Sequence, residues 1–432
     1  MKILGINAFH ADSSACILVN GEIVCAIEEE RLTRIKHWAG FPKHAIESCL
    51  GKAELKIENL DYIAINRDPN AHIFEKVNYT IRNKPSLKNI ISRVRSRNND
   101  HYLSDLFEKI FKVDKKLIEK KIINVEHHLS HLASSFYTSE YKNAIVLSID
   151  GFGDFVSTMW GSVEKDKILI DDYVSFPHSL GLFYQAITQF LGFYNYGDEY
   201  KVMGMAGYGS PTYKNQMNEI VRCVDNGKFE LGLDYFLHQS EGVSMEFETG
   251  YPKIGTLFTK KLEDLLGPAR SKNEEISQRH KDIAASVQFQ YEKILFHILK
   301  SLNDRFPDYN RLCLSGGCAQ NSLANGKITS VSKFDDVWIQ PAAGDAGGAL
   351  GAALIAYFDE TNRRPSHMIN SSLGLSYSNE QISEEIENDD RLKSFNVKYI
   401  ESDNDLENLT VEALIDGNVI GFFHGAFEWG PR

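Results

Sequence analysis

The sequence predicts an α/β protein built from a duplicated unit, two lobes with a ligand cleft between them. Three observations lead there. The opening "KILGINAFHADSSACILVNGEIVCAIEEER" reads strand, polar turn, strand, Asn-Gly turn, strand. The same design returns in "NAIVLSIDGFGDFVSTMWGSVEKDKILI". Two later stretches, "RLCLSGGCAQNSLANGKI" and "VWIQPAAGDAGGALGAALIAYF", each read strand, Gly-rich turn, helix, where backbone amides can face a phosphate at a helix N-terminus.

Each element follows from its residues. Asn20-Gly21 is a hairpin signal, because both central residues of the favoured turn take positive φ. A helix is expected over "FPKHAIESCLGKA", ending at Gly51, and a short buried strand in "LDYIAINRDP", stopping before Pro69. Residues 80–121 read as a basic helical insertion: from Arg82 to Lys121 there are twelve Lys/Arg against five Asp/Glu. Such a segment is either a solvated face or a docking surface for an anion or a partner. "GDEYKVMGMAGYGSP", Gly197 to Pro211, is dense in glycine and charge and reads as an irregular wall of an active site, with Asp198, Glu199 and Lys201 as candidate contacts. From Arg363 the text turns polar, a connector with one acidic helix, and "LTVEALIDGNVIGFFHGAFEWGPR" reads helix, turn, strand. The expected organisation is a domain over 1–362, then a connector and the start of a further C-terminal domain over 363–432.

Composition bounds the function. The 432 residues are 43% hydrophobic and 25% charged, an ordinary soluble globular profile. With a formal net charge of −12, the chain gains nothing from counterion release at nucleic-acid phosphates, so no nucleic-acid partner is expected. Six cysteines without a C-x-x-C pair indicate reduced thiols and a cytoplasmic protein. No apolar run is long enough to span a membrane.

The chemistry concentrates in "VEHHLSHLASSFYTS". On a helix, His127 and His131 stand at i and i+4 and share its polar face, whereas His128 lies beside the apolar face. Two imidazoles at that spacing can clamp one metal, and they can equally be a solvated helix end. Asp150, closing the strand "IVLSID", and Asp345 in "PAAGDAGG" are the best further ligands, since both stand at strand ends beside glycines. A His₂Asp₂ set without sulfur suits iron, zinc or manganese. His10, Asp12 and Ser13 sit on the first hairpin turn, where His10 can serve as general base toward a hydroxyl.

These motifs, together with "EEERLTRIKHWAGFP", "SLGLFYQAITQFLGF" and "FEWGPR", resemble in residues and order the O-carbamoyltransferases of the NodU/CmcH type, over nearly the whole chain. The resemblance implies an actin/Hsp70/sugar-kinase-like fold. It implies transfer of a carbamoyl group from carbamoyl phosphate, with ATP and through a carbamoyl-adenylate, to a hydroxyl of a small-molecule acceptor such as a sugar, antibiotic or toxin. It places the family's iron ligands on His127, His131, Asp150 and Asp345 and its candidate base on His10, with Asp12 beside it. The cofactor-binding set is then Asn7, Ser13, Gly151, Gly153, Lys201, Gly316, Gly317, Asn321, Gly344 and Gly347, with Arg432 on the carbamoyl phosphate side. Mg²⁺ would serve adenylate formation, which the family assigns to a C-terminal YrdC-like domain; a homodimer is left open. Ala426 departs from the pattern, which usually carries Arg there. The alternatives are a nucleotide-binding module or pseudoenzyme of the same fold, and a sugar-kinase-like phosphotransferase.

Overall fold

The computed structural model describes residues 1–83, 99–240, 243–246 and 250–431. It contains the same five-stranded sheet twice. The first holds β1 (Lys2–Asn7), β2 (Ser14–Val19), β3 (Glu22–Glu28), β4 (Tyr62–Ile65) and β5 (Ile122–Asn124), in the order β3-β2-β1-β4-β5. The second holds β6 (Ile145–Gly153), β7 (Val156–Glu164), β8 (Lys167–Ser175), β9 (Arg311–Ser315) and β10 (Asp336–Trp338), in the order β8-β7-β6-β9-β10. In both, an antiparallel three-strand meander is extended by two parallel strands on its first strand's free side. That is the duplication expected from the sequence. Asn20 and Gly21 both take positive φ, 53° and 87°, and close the first hairpin as its twist requires.

The helices that matter here are α1 (Lys43–Lys52), α2 (His127–Phe136), α3 (Leu180–Phe190), α4 (Glu199–Ala206), α5 (Gln278–Arg305), α6 (Ala346–Thr361), α7 (Asn379–Asn388) and α8 (Asp403–Ile415). α1 covers the outer face of the first sheet, over Leu4, Ile17 and Ile63. α3 and α5 build the large core of the second, around Phe183, Phe190, Ile294 and Leu295. Helices α2 and α6 pack against each other in the layer that joins the two sheets, with Leu132, Phe136, Leu350 and Leu354. The small residues of α6 serve this close packing: a Cβ on Gly351 would lie 1.8 Å from the carbonyl oxygen of Ser130.

Two expectations need correction. Gly197 to Pro211 is not an irregular wall, because Glu199–Ala206 forms helix α4, whose Glu, Met and Ala outweigh its one glycine. The acidic helix of the connector and the helix of "LTVEALI" are both present as α7 and α8, each begun by a serine cap, Ser378 and Ser402. No strand follows α8 among the described residues: Val419, Phe422 and Phe423 are exposed, and with no neighbouring strand to pair with an isolated one has no ladder to join. Of the basic insertion, helices Ile73–Asn83 and Asn99–Phe111 are described, and residues 84–98 lie outside the described residues.

Beyond α8 the chain returns to the first lobe. Phe427 exchanges backbone hydrogen bonds with Gly374 and Leu375, and the Trp429 amide donates to Ser371 O over 2.7 Å. Trp429 is 1% exposed. The Gly430 amide donates to Glu28 Oε1 over 2.7 Å, and Arg31 Nη2 donates to Gly430 O. Burial pushes the Glu28 carboxyl up to about 7, against the pull of the Arg31 guanidinium. The folded value thus lies above the unfolded one. Its stabilising contribution is complete below about pH 4.5 and is lost as pH rises through 7. Glu28→Gln keeps an acceptor for Gly430 and removes the titration. The variant is expected to be more stable than the parent at pH 8, by up to about 3 kcal/mol, and to show a flatter profile; urea unfolding across pH 5–8 measures it.

Candidate metal centre

Helix α2 begins where two acidic side chains meet its first amides. Glu126 accepts from Leu129 N over 2.6 Å, and Asp154 Oδ2 accepts from His127 N over 3.0 Å. Both satisfy otherwise orphaned donors and favour the positive end of the helix. The start so fixed aims His127 and His131 to one side. They are 5% and 0% exposed, so the helix face read as polar is interior, and a solvated helix end is excluded. His128 points elsewhere, between Ser148 Oγ (2.9 Å) and Val156 O (3.0 Å), where burial lowers it to about 4 and keeps it neutral.

Asp150 at the bend of β6 and Asp345 at the entrance of α6 complete the group. Asp345 makes no capping hydrogen bond to its own helix, which leaves its carboxylate for the cluster. One ligand atom from each of His127, His131, Asp150 and Asp345 lies within 4.8 Å of the others. His131 Nε2 stands 3.1 Å from His127 Nε2, 2.9 Å from Asp150 Oδ2 and 3.4 Å from Asp345 Oδ1. His127 Nε2 lies 3.4 Å from Asp345 Oδ1 and 3.6 Å from Asp150 Oδ2. Gly153 is needed here, since a Cβ on it would come within 2.0 Å of the His127 ring.

The residues fit a cation. Asp150 Oδ2 and Asp345 Oδ1 are buried and have no hydrogen-bond partner, a cost native proteins seldom leave unanswered. Their second oxygens are occupied: Asp150 Oδ1 accepts from Gly151 N (2.7 Å), and Asp345 Oδ2 lies 3.2 Å from His10 Nδ1. Two nitrogens and two oxygens thus converge with the inner oxygens unspent, a donor set for iron, zinc or manganese. Burial alone would hold both carboxyls up and both imidazoles down. The opposite charges win: Asp150 and Asp345 both fall below the ordinary carboxylate value, while His127 and His131 rise. A metal would displace protons from the two imidazoles.

The turn bearing His10 is strained and braced. Phe9 and Asp12 take φ of 70° and 57°, which costs energy for residues with a Cβ. Asn7 Nδ2 donates to Ala11 O (3.2 Å) and Asp12 O (2.8 Å). Ser13 Oγ lies 3.1 Å from His10 O and 2.8 Å from Gly40 O. Asn7 and Ser13 therefore shape the turn. His10 reaches Asp345, whereas Asp12 turns away to His37, Oδ1 to Nδ1 2.7 Å.

The remaining residues are placed as follows. Gly316 (φ 87°) and Gly317 lie against Ile149 and Asp150 at the end of β6, where a Cβ on Gly316 would fall 2.2 Å from Ile149 O. Only four-residue helix Ser322–Asn325 follows, so the Gly-Gly turn does not open a long helix. Asn321 is paired with Gln288, amide to amide, at 2.9 Å each way. Gly344 faces Gln320, and Gly347 packs on Ala342 O. Lys201 pairs with Asp198 (2.6 Å) and lies over the rings of Phe193 and Tyr200; it makes no contact with the cluster among the described residues. Arg432 lies outside the described residues.

Sequence reasoning passed over His37, Glu30 and Tyr196. Asp12, Glu30 and His37 gather ligand-type atoms within 4.8 Å, and the His37 ring meets Tyr196 edge-on at 5.3 Å. The signal was the charged run "EEERLTRIKH" between a strand and a helix, too polar to be packing text.

Comparison with known proteins gives the family of the chain. Residues 2–354 match the family described as "Carbamoyltransferase N-terminus". An uncharacterised protein of Synechocystis sp. is 35% identical across 100% of this chain and 69% of its own length. The nodulation protein NolNO of Sinorhizobium fredii is 32% identical across 99% of this chain, which spans 57% of that protein. Among solved structures, component A of (R)-2-hydroxyglutaryl-CoA dehydratase from Acidaminococcus fermentans superposes on 83% of this chain and 98% of its own, at 16% identity and a TM-score of 0.43. By the family match and the extent of the relatives' identity, this chain belongs to the carbamoyltransferase family and carries its N-terminal region.

Proposed function

We propose that the protein transfers a carbamoyl group from a carbamoyl-adenylate, made from carbamoyl phosphate and ATP, to a hydroxyl of a small-molecule acceptor. The observation that carries this reading is the buried His₂Asp₂ cluster with two unspent carboxylate oxygens and His10 at its edge, in a chain of the carbamoyltransferase family.

His127, His131, Asp150 and Asp345 would hold the metal, iron in the first instance. Bound there, it supplies Lewis-acid polarisation and neutralises phosphate charge. The chain's own residues do the rest. His10 gives its Nδ1 proton to the hydrogen bond with Asp345 Oδ2, which leaves the Nε2 lone pair as base. Its side chain is 30% exposed, so an acceptor can reach it. The acceptor O–H loses its proton to Nε2, the oxygen bonds to the carbamoyl carbon, and the bond from that carbon to the phosphate oxygen breaks, releasing AMP. The open backbone at Gly151, where nothing lies within 4 Å of an added Cβ, would leave room for phosphate beside Asp150. Adenylate formation is assigned to sequence beyond the matched region, in line with the longer relatives.

The test is mass spectrometry of candidate hydroxyl acceptors incubated with the full-length protein, carbamoyl phosphate and ATP. A carbamate product, lost or lowered by about 10²–10⁴-fold in His10→Ala, is the expected result. A phosphorylated acceptor would replace the reading with a kinase, and nucleotide binding without product would make the protein a binding module.

A further inference from the structure

We infer that Glu28, Arg31, Glu30 and His37 are positioning residues. Together they form a polar relay that lets the returning tail at Gly430 set the geometry of the His10 turn.

The chain of contacts is continuous. Gly430 N donates to Glu28 Oε1 (2.7 Å), and Arg31 Nη2 donates to Gly430 O, so one residue is held through both its amide and its carbonyl. Arg31 Nη1 donates to Glu30 Oε1 (2.8 Å). The other oxygen of the same carboxylate, Glu30 Oε2, accepts from His37 N (2.7 Å). His37 Nδ1 then meets Asp12 Oδ1 (2.7 Å), and Asp12 O is held by Asn7. Trp38 O and Gly40 O accept from Ser13 N and Phe9 N, both at 2.9 Å, so the segment after His37 is stitched along the same turn.

Gly430 also touches the other side of the site. A Cβ there would fall 2.3 Å from Pro341 O and 2.9 Å from Ala342 N, on the loop that leads to Asp345. One glycine therefore abuts both the relay to His10 and the loop of a metal ligand.

The chemistry of the relay argues for positioning. The side chains of Glu28 and Arg31 are 6% and 5% exposed, and a buried ion pair is a poor way to gain stability compared with apolar packing. What directed hydrogen bonds supply is geometry, and the relay ends on a turn whose φ values must be held against strain. The Gly197 loop adds a constraint: its φ is 80°, and a Cβ on Gly197 would meet His37 Nε2 at 2.3 Å, so the imidazole is fixed on that side too.

Amide hydrogen exchange on the full chain tests this with two variants. Glu30→Ala cuts the relay in the middle. It is expected to speed exchange at His37, Phe9 and Ser13 at least about tenfold while the Trp429 amide keeps its protection. Gly430→Val is expected to free Trp429 and the turn amides together; Arg31→Met serves the same purpose if that variant does not fold. The inference is overturned if Glu30→Ala leaves the turn at parental rates, if the tail stays docked in Gly430→Val, or if the tail leaves and the turn does not respond. A second readout rests on the transfer reading above. With supplied carbamoyl-adenylate, Glu30→Ala should lower kcat by about 10²-fold, with KM and bound metal near parental values. If the exchange pattern appears and even the parent transfers nothing, the transfer reading fails and the relay stands.

Discussion

His131→Ala is expected to abolish the metal binding proposed for the His₂Asp₂ cluster. Its Nε2 lies within 3.4 Å of the inner oxygens of both aspartates and 3.1 Å from the other imidazole, so no neighbour can take its place without moving a helix. The ring is 0% exposed, and the space it leaves opens into the layer between the sheets. Loss of an outer-shell partner costs about 10–100-fold in metal affinity, and loss of a ligand should exceed that range. The metal-free protein is affected as well. Without His131, Asp150 and Asp345 face each other with one imidazole between them, and breaking a buried charge cluster costs about 3–5 kcal/mol. The double variant His131→Ala/Asp150→Asn should recover part of that stability and none of the metal, because the two effects share one cluster. Metal analysis after purification and chemical unfolding measure the two quantities. Stoichiometric metal in His131→Ala would remove this residue from the ligand set.

Gly351→Ala is expected to have the largest effect of any single added methyl. The new Cβ would lie 1.8 Å from Ser130 O, 2.7 Å from Ser130 C and 3.0 Å from Ser134 N. All three are backbone atoms of α2, so no side chain can swing away and the two helices must part. Overpacking of this kind costs about 1–3 kcal/mol and occasionally more; here the upper end is expected. The damage extends to the site, because α2 carries His127 and His131 while α6 begins at Asp345. Parting the helices pulls the ligands apart, and metal affinity should fall with stability. The control is Gly204→Ala in α4. Nothing lies within 4 Å of the added Cβ, and the helix should gain about 0.5–1 kcal/mol. Equal melting temperatures for the two variants would refute the packing argument.

The two sheets were legible in the sequence because hairpins and strand–turn–helix units are local: Asn20-Gly21 sets a turn through two residues alone. The cluster was legible in part. Helical spacing selected His127 and His131 over His128, and strand-end position suggested Asp150 and Asp345. Whether the His face was solvated was not legible, since its burial comes from α6, more than two hundred residues later, with glycine where α2 comes close. Helix α4 was misread because glycine and charge were weighed above the helix formers between them. The His37–Glu30 contacts depend on a loop folding back on the first turn, which no periodicity records.

Helices α2 and α6 lie between the sheets, and this has a consequence for biosynthesis. The histidines are supplied near residue 130 and the last aspartate at 345, about half the chain later. A nascent or half-folded chain therefore offers a cation only an i, i+4 histidine pair, a weak and unselective chelate. The complete four-donor cage exists only once α6 has packed on α2 and brought Asp345 to the histidines. If the cluster holds the proposed metal, its tight uptake would be a late event that reports correct assembly.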